Sequence, residues 1–116
     1  MYAAQWIQGQ QEQGNEKHVP TILVERGEAE GGRVVRVVVG HDVPHPNLPE
    51  HHIAWLELYG QKGDGGQILH LGRAAWAPVY GDPNVCFQVN KMEDFAKLHA
   101  LAYCNIHGVW GSTLEL

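Results

Sequence analysis

The stretch His52-Ile-Ala-Trp-Leu-Glu-Leu-Tyr59 alternates residue by residue. His52, Ala54, Leu56 and Leu58 fall on one face of an extended chain, and Ile53, Trp55, Glu57 and Tyr59 on the other. Upstream, Arg33-Val-Val-Arg-Val-Val-Val-Gly40 is rich in β-branched residues, a second strand by composition. Working outward, Thr21 to Arg26 reads as a strand that stops at Gly27, with a hairpin loop over Glu28 to Gly32. Gln61 to Gly66 is a turn. Gln67 to Trp76 and Val85 to Asn90 are further strands, separated by a Pro/Gly segment from Ala77 to Asn84. Helix competes over Lys91 to Ala102, where Met92, Phe95 and His99 have helical spacing. The reading adopted is a short turn near Glu93 followed by a strand over Lys97 to Tyr103, with a last strand over Ser112 to Leu116. About seven short strands, punctuated by 14 Gly and 6 Pro, point to an all-β fold. Its expected form is a seven-stranded, immunoglobulin-like antiparallel β-sandwich.

At 116 residues the chain suits one domain. Residues 1–15 read as an N-terminal arm and 16–116 as a single domain. Five of the first thirteen residues are Gln, and Gly9 and Gly14 interrupt any helix. The arm is either a short helix, a flexible tail or an ordered contact between subunits. Thirteen acids against eight Lys plus Arg leave a net charge of −5, which excludes a nucleic-acid binder of the basic-patch kind. No apolar run is long enough for a transmembrane helix, so no membrane partner is expected. The polar, Gln-rich start is not a secretory signal. Cys86 and Cys104 do not make a disulfide scaffold and are expected to be free thiols in a reducing cytoplasm.

Histidine is the unusual component: eight, as many as Lys and Arg together. Three segments concentrate metal-ligand chemistry: Glu16-Lys17-His18-Val19-Pro20, His45-Pro46-Asn47-Leu48-Pro49-Glu50-His51-His52-Ile53 and Cys104-Asn105-Ile106-His107-Gly108-Val109-Trp110. Cys104 and His107 can chelate one metal from a tight turn, for which Gly108 supplies a permissive backbone. Pro46 and Pro49 stiffen the loop between His45 and His51. His18 stands two residues before a proline at the mouth of a strand. Four imidazoles and one thiolate suit a transition metal rather than Mg or Ca. Structural zinc closes its shell with four ligands. Five protein ligands would leave one position open on a six-coordinate metal such as iron. Spacing alone does not bring the three segments together. His41, His52, His70 and His99 read as ordinary surface or half-buried residues, and Cys86 as packing or an incidental thiol.

The segments EKHVP, HPNLPEHHI and CNIHGVW resemble the signature segments of the superoxide reductases, most closely the one-domain neelaredoxin type, also known as the desulfoferrodoxin iron-binding domain. The resemblance runs from about residue 14 to the C-terminus and includes HHIAWLELY and LHALAYCNIHG. It implies an immunoglobulin-like sandwich holding a mononuclear non-haem iron, Fe2+/Fe3+, that reduces superoxide by one electron to hydrogen peroxide. It implies equatorial ligands His18, His45, His51 and His107 and an axial thiolate from Cys104. Glu16 matches the carboxylate that takes the sixth position in the oxidised resting form, and Lys17 the lysine beside the open site. Rubredoxin is the implied electron donor and a homotetramer the implied assembly. The chain departs from the two-centre desulfoferrodoxins in lacking a Cys-rich N-terminal domain, and the segment 61–90 is shorter than in the family. Two other functions compete: a non-catalytic metal-binding or redox-sensing sandwich, and a superoxide dismutase.

Overall fold

The computed structural model describes residues 6–9, 17–27, 30–63 and 65–116. Its strands are β1 (Thr21–Arg26), β2 (Arg33–Val38), β3 (Ile53–Lys62), β4 (Ile68–Ala75), β5 (Asn84–Val89), β6 (Phe95–Cys104) and β7 (Gly108–Glu115). They form two antiparallel sheets, β1-β2-β5 and β4-β3-β6-β7. The chain is an immunoglobulin-like sandwich whose fourth strand joins the sheet of β3, β6 and β7. Valines of β2 and apolar residues of β3 and β6 fill the space between the layers: Val35, Val37, Leu56, Leu58, Leu98 and Ala100 are fully buried.

Three local outcomes position the functional end. First, the contested segment resolves as a 3-10 turn at Met92–Asp94 followed by β6. Period two wins because it buries Leu98, Ala100, Ala102 and Cys104 on one face, each with no exposed surface. Second, the strict alternation expected for residues 52–59 breaks at its start. Ile53 faces Cys104 and Trp55 faces Tyr103, so Ala54 is an extra residue, a β-bulge. The bulge turns Ile53 inward with Leu56 and Leu58, rather than to the opposite face as simple alternation predicts. Third, β7 begins at Gly108, four residues before the expected start. Gly108 and Gly111 weaken the strand signal in the sequence, yet pairing with β6 continues to Cys104 opposite Gly108.

The register gathers five chain segments at one end. Thr21 at the start of β1 pairs with Val38 at the end of β2. Ile53 at the start of β3 pairs with Cys104 at the end of β6, which pairs in turn with Gly108 at the start of β7. The Ser112 hydroxyl donates to the carbonyl of Pro20 at 2.5 Å, tying the entrance of β1 to β7. The three histidine- and cysteine-bearing segments are therefore neighbours in space. Before them in the chain, Gln8 pairs in parallel with Trp110 on β7, an edge strand. No helix of the described residues is long and apolar enough to cross a membrane.

Candidate metal centre

His18 lies in the short approach to β1 and is 3% exposed. Its ring stacks on the indole of Trp110 at a centroid distance of 4.5 Å and an interplanar angle of 13°. Pro20, fully buried, fixes the chain just after it.

His45 and His51 sit on the loop between β2 and β3. The loop doubles back at Gly40, whose φ of 84° falls in the left-handed region. A Cβ there would lie 2.7 Å from the backbone nitrogen of His45, so only glycine lets the two chain segments approach this closely. His45 is 7% exposed. Its Nδ1 donates to the Pro46 carbonyl at 2.7 Å. That acceptor sets the tautomer, so Nε2 carries the in-plane lone pair. A turn closed by two backbone hydrogen bonds between Leu48 and His51, at 2.8 and 3.1 Å, sets the direction of His51. Pro49 occupies the position of that turn where its fixed φ is favoured.

Cys104 ends β6 inside the core and is fully buried. The backbone N–H of His107 donates to its sulfur at 3.4 Å. Gly108, with φ of 90°, supplies the left-handed residue that ends the turn, as the sequence suggests.

Four imidazoles meet edge to face in a closed circuit. Centroid separations are 4.8 Å for His18 and His45, 4.9 Å for His45 and His51, 5.0 Å for His51 and His107, and 4.8 Å for His107 and His18. One ligand atom each from His18, His45, His51 and Cys104 lies within 4.8 Å of the others. His107 Nδ1 is 3.1 Å from His18 Nε2 and 3.7 Å from Cys104 Sγ. First-row ions bind imidazole at about 2.0–2.1 Å and thiolate at about 2.3 Å, so neighbouring ligand atoms belong about 3 Å apart and opposite ones about 4–4.5 Å apart. The donors fit one transition ion. The contacts direct His107 inward through Nδ1 and His18 through Nε2, a distinction that no sequence motif carries. Three donors are shielded by the fold, whereas His107 is on the exposed rim.

Two asparagines and one glutamine hold these segments. Asn105 Oδ1 accepts from the His52 backbone N–H at 2.8 Å, and its Nδ2 donates to the Glu50 carbonyl at 3.0 Å. Its own N–H reaches the His52 carbonyl at 3.2 Å. The Cys104–His107 turn is thus joined to the His45–His51 loop. Asn47 braces that loop from the other side. It accepts from Val79 N–H at 2.9 Å and donates to the carbonyls of Gly81 and Val79 at 3.0 and 3.3 Å. Gln8 Nε2 donates to the carbonyl of His107 at 2.6 Å. From sequence, Asn105 reads either as a turn former or as a residue whose backbone N–H points at the Cys104 sulfur; its N–H goes instead to the His52 carbonyl and the sulfur takes the N–H of His107, while Asn47 and Gln8 carry no signal beyond standing beside Pro46 and in the Gln-rich arm.

The remaining histidines have other engagements. His41 contacts Asp42, the Nδ1 of His52 donates to the Leu48 carbonyl, His70 pairs with Glu57, and His99 bonds Gln61 and Thr113. Cys86 is exposed on β5 rather than packed. Lys17, half-buried, immediately precedes His18. Glu16 lies outside the described residues.

The sequence profile of the family described as Desulfoferrodoxin matches residues 10–113. A superoxide reductase of Pyrococcus abyssi is 46% identical over 106 residues, covering 87% of this chain and 88% of that protein. The neelaredoxin of Megalodesulfovibrio gigas is 35% identical over 111 residues, covering 84% and 85%. Among solved structures, the superoxide reductase (neelaredoxin) from Archaeoglobus fulgidus in the reduced form superposes with a TM-score of 0.80. It is 42% identical and covers 95% of this chain and 98% of that one.

Proposed function

Because this chain belongs to the desulfoferrodoxin family, we propose that it is a superoxide reductase whose metal is a mononuclear iron held by His18, His45, His51, His107 and Cys104. It is an oxidoreductase acting on superoxide. The observation that carries the reading is the closed circuit of four imidazoles beside one buried sulfur. A sandwich core has no reason of its own to gather four imidazoles and a thiol, since buried polar groups cost free energy unless they are used.

The reaction consumes one superoxide, one electron and two protons and yields one hydrogen peroxide. Iron, when bound, supplies the electron and an open coordination position beside the five protein donors. The chain's own residues supply the rest. Cys104 donates sulfur electron density into the site, and the His107 N–H tempers that donation. Lys17 attracts the anion locally, which matters because a net charge of −5 repels superoxide at long range. The same ammonium organises the water that delivers protons. By resemblance, Glu16 is the carboxylate that would close the iron's open position in the oxidised resting form. The exposed rim at His107 is where an external donor such as rubredoxin delivers the next electron. A reducing cytoplasm suits both free thiols. By resemblance the working assembly is a homotetramer.

A second reading has one observation behind it. His18, His45, His51 and Cys104 alone would satisfy a closed, four-coordinate zinc site. The contact of 3.1 Å between His107 and His18 weighs against it by adding a fifth donor. Elemental analysis with the visible spectrum of the oxidised protein separates the two. Iron near one equivalent with a thiolate charge-transfer band supports the reductase. A colourless zinc protein inert to superoxide contradicts it.

Lys17→Ala is expected to slow the bimolecular reaction with superoxide several-fold, most at low ionic strength. Rate constants measured across a salt series check this. A wild-type rate indifferent to salt, or a variant that matches it, removes Lys17 from the steering role.

A further inference from the structure

We infer that Gln8 is a positioning residue for the metal centre, its side-chain amide holding the turn between β6 and β7 that carries Cys104 and His107. The inference rests on the ligand assignment proposed above. Three hydrogen bonds converge at this point. The backbone N–H of Gln8 donates to Val109 O at 3.0 Å, and its carbonyl accepts from Gly111 N–H at 2.8 Å. Its Nε2 reaches past them to His107 O at 2.6 Å. The two backbone bonds seat the segment along the β7 edge. The side-chain bond does something different: it fixes the peptide plane between His107 and Gly108.

That plane matters because Gly108 has a φ of 90°, a conformation that glycine takes without a Cβ penalty and that leaves the adjoining peptide's orientation to its hydrogen bonds. Turning the plane changes ψ of His107 and with it the direction of the imidazole. The neighbouring residue also packs against β7. Ile7 lies so close to Gly111 that a Cβ there would stand 2.8 Å from its Cγ2. Trp110, the bridge partner of Gln8, stacks on His18. One short segment therefore braces two of the proposed ligands, His107 through its carbonyl and His18 through Trp110. The position requires a donor. A carboxylate of the same shape would set its oxygen against the oxygen of His107, which explains why glutamine rather than glutamate suits this place in the arm.

The test uses Gln8→Ala and Gln8→Glu in the full chain, both of which keep the backbone pairing. In metal-free protein, amide exchange of His107, whose N–H points at Cys104 Sγ, is expected to quicken about tenfold in both variants. The Gly111 amide should stay as protected as in wild type. In iron-loaded protein, loss of iron to excess chelator is expected to quicken about tenfold, the usual scale for losing a hydrogen-bond partner behind a ligand. Unchanged His107 exchange in either variant overturns the assignment, whatever metal the chain holds. Faster exchange with wild-type iron loss also overturns it, because the turn would then be held without consequence for the centre. A wild-type chain that takes up no iron contradicts the proposed function instead, and the exchange comparison still decides whether Gln8 holds the turn.

Discussion

Cys104→Ala is expected to abolish the thiolate-to-iron absorption of the iron-loaded, oxidised protein and to lower superoxide reduction by more than about a hundredfold. That figure is the upper end for removing a hydrogen-bond partner of a ligand, and here the ligand itself is lost. Among the described residues Cys104 provides the only sulfur in the cluster. It is fully buried at the end of β6, opposite Ile53, so no neighbouring thiol can replace it. The other cysteine, Cys86, is exposed on β5 in the other sheet. Alanine leaves a small cavity between the apolar core and the imidazole cluster, so the fold should survive, and far-ultraviolet circular dichroism checks that it does. Cys104→Ser, which fills the cavity but offers a harder donor, should also lose the band. Retention of band and rate in either variant would remove Cys104 from the centre.

Asn105→Ala is expected to cost stability and metal affinity together, because the two ligand-bearing segments are tied through its side chain. Two hydrogen bonds disappear, to His52 N–H and Glu50 O, both at the exposed rim. Water can replace them there, so the stability loss should stay near about 1 kcal/mol. The effect on the metal should be larger. His51 stands between the two partners, Glu50 and His52, and Cys104 immediately precedes Asn105, so losing the tie loosens the loop against the turn. Iron affinity measured by chelator competition should fall about 10- to 100-fold, and equilibrium denaturation gives the stability term. Wild-type affinity in the variant would show that the prolines and the backbone bond from residue 105 N–H to the His52 carbonyl hold the loop without the side chain.

The strands were legible in the sequence where one face is apolar and β-branched. Thr21–Arg26 is read to the residue, and β2 follows from its valines. What escaped lies where pairing overrides local composition. The bulge at Ala54 has no signature in HIAWLELY, because it arises from register with β6. The early start of β7 is hidden by Gly108 and Gly111, which are poor strand formers held in place by their partner strand.

The candidate site divides in the same way. His18, His45, His51, Cys104 and His107 stand in segments that the sequence already marks, and the fold brings those segments to one end. Their supports are long-range and invisible from spacing: Asn47 bonds across the molecule to Val79 and Gly81, and Gln8 to His107. No local pattern encodes a partner about a hundred positions away. The same limit hides the choice of Nδ1 in His107, which follows from the sharp turn after Cys104.

The most direct measurement mixes the reduced, iron-loaded chain with a known pulse of superoxide in the presence of a reduced donor and follows peroxide, oxygen and donor oxidation together. One peroxide and one oxidised donor equivalent per superoxide, with no oxygen released, is the result expected of a reductase. Oxygen evolution without donor oxidation would make the chain a dismutase, and an undisturbed pulse would leave it a metal-binding sandwich without this chemistry.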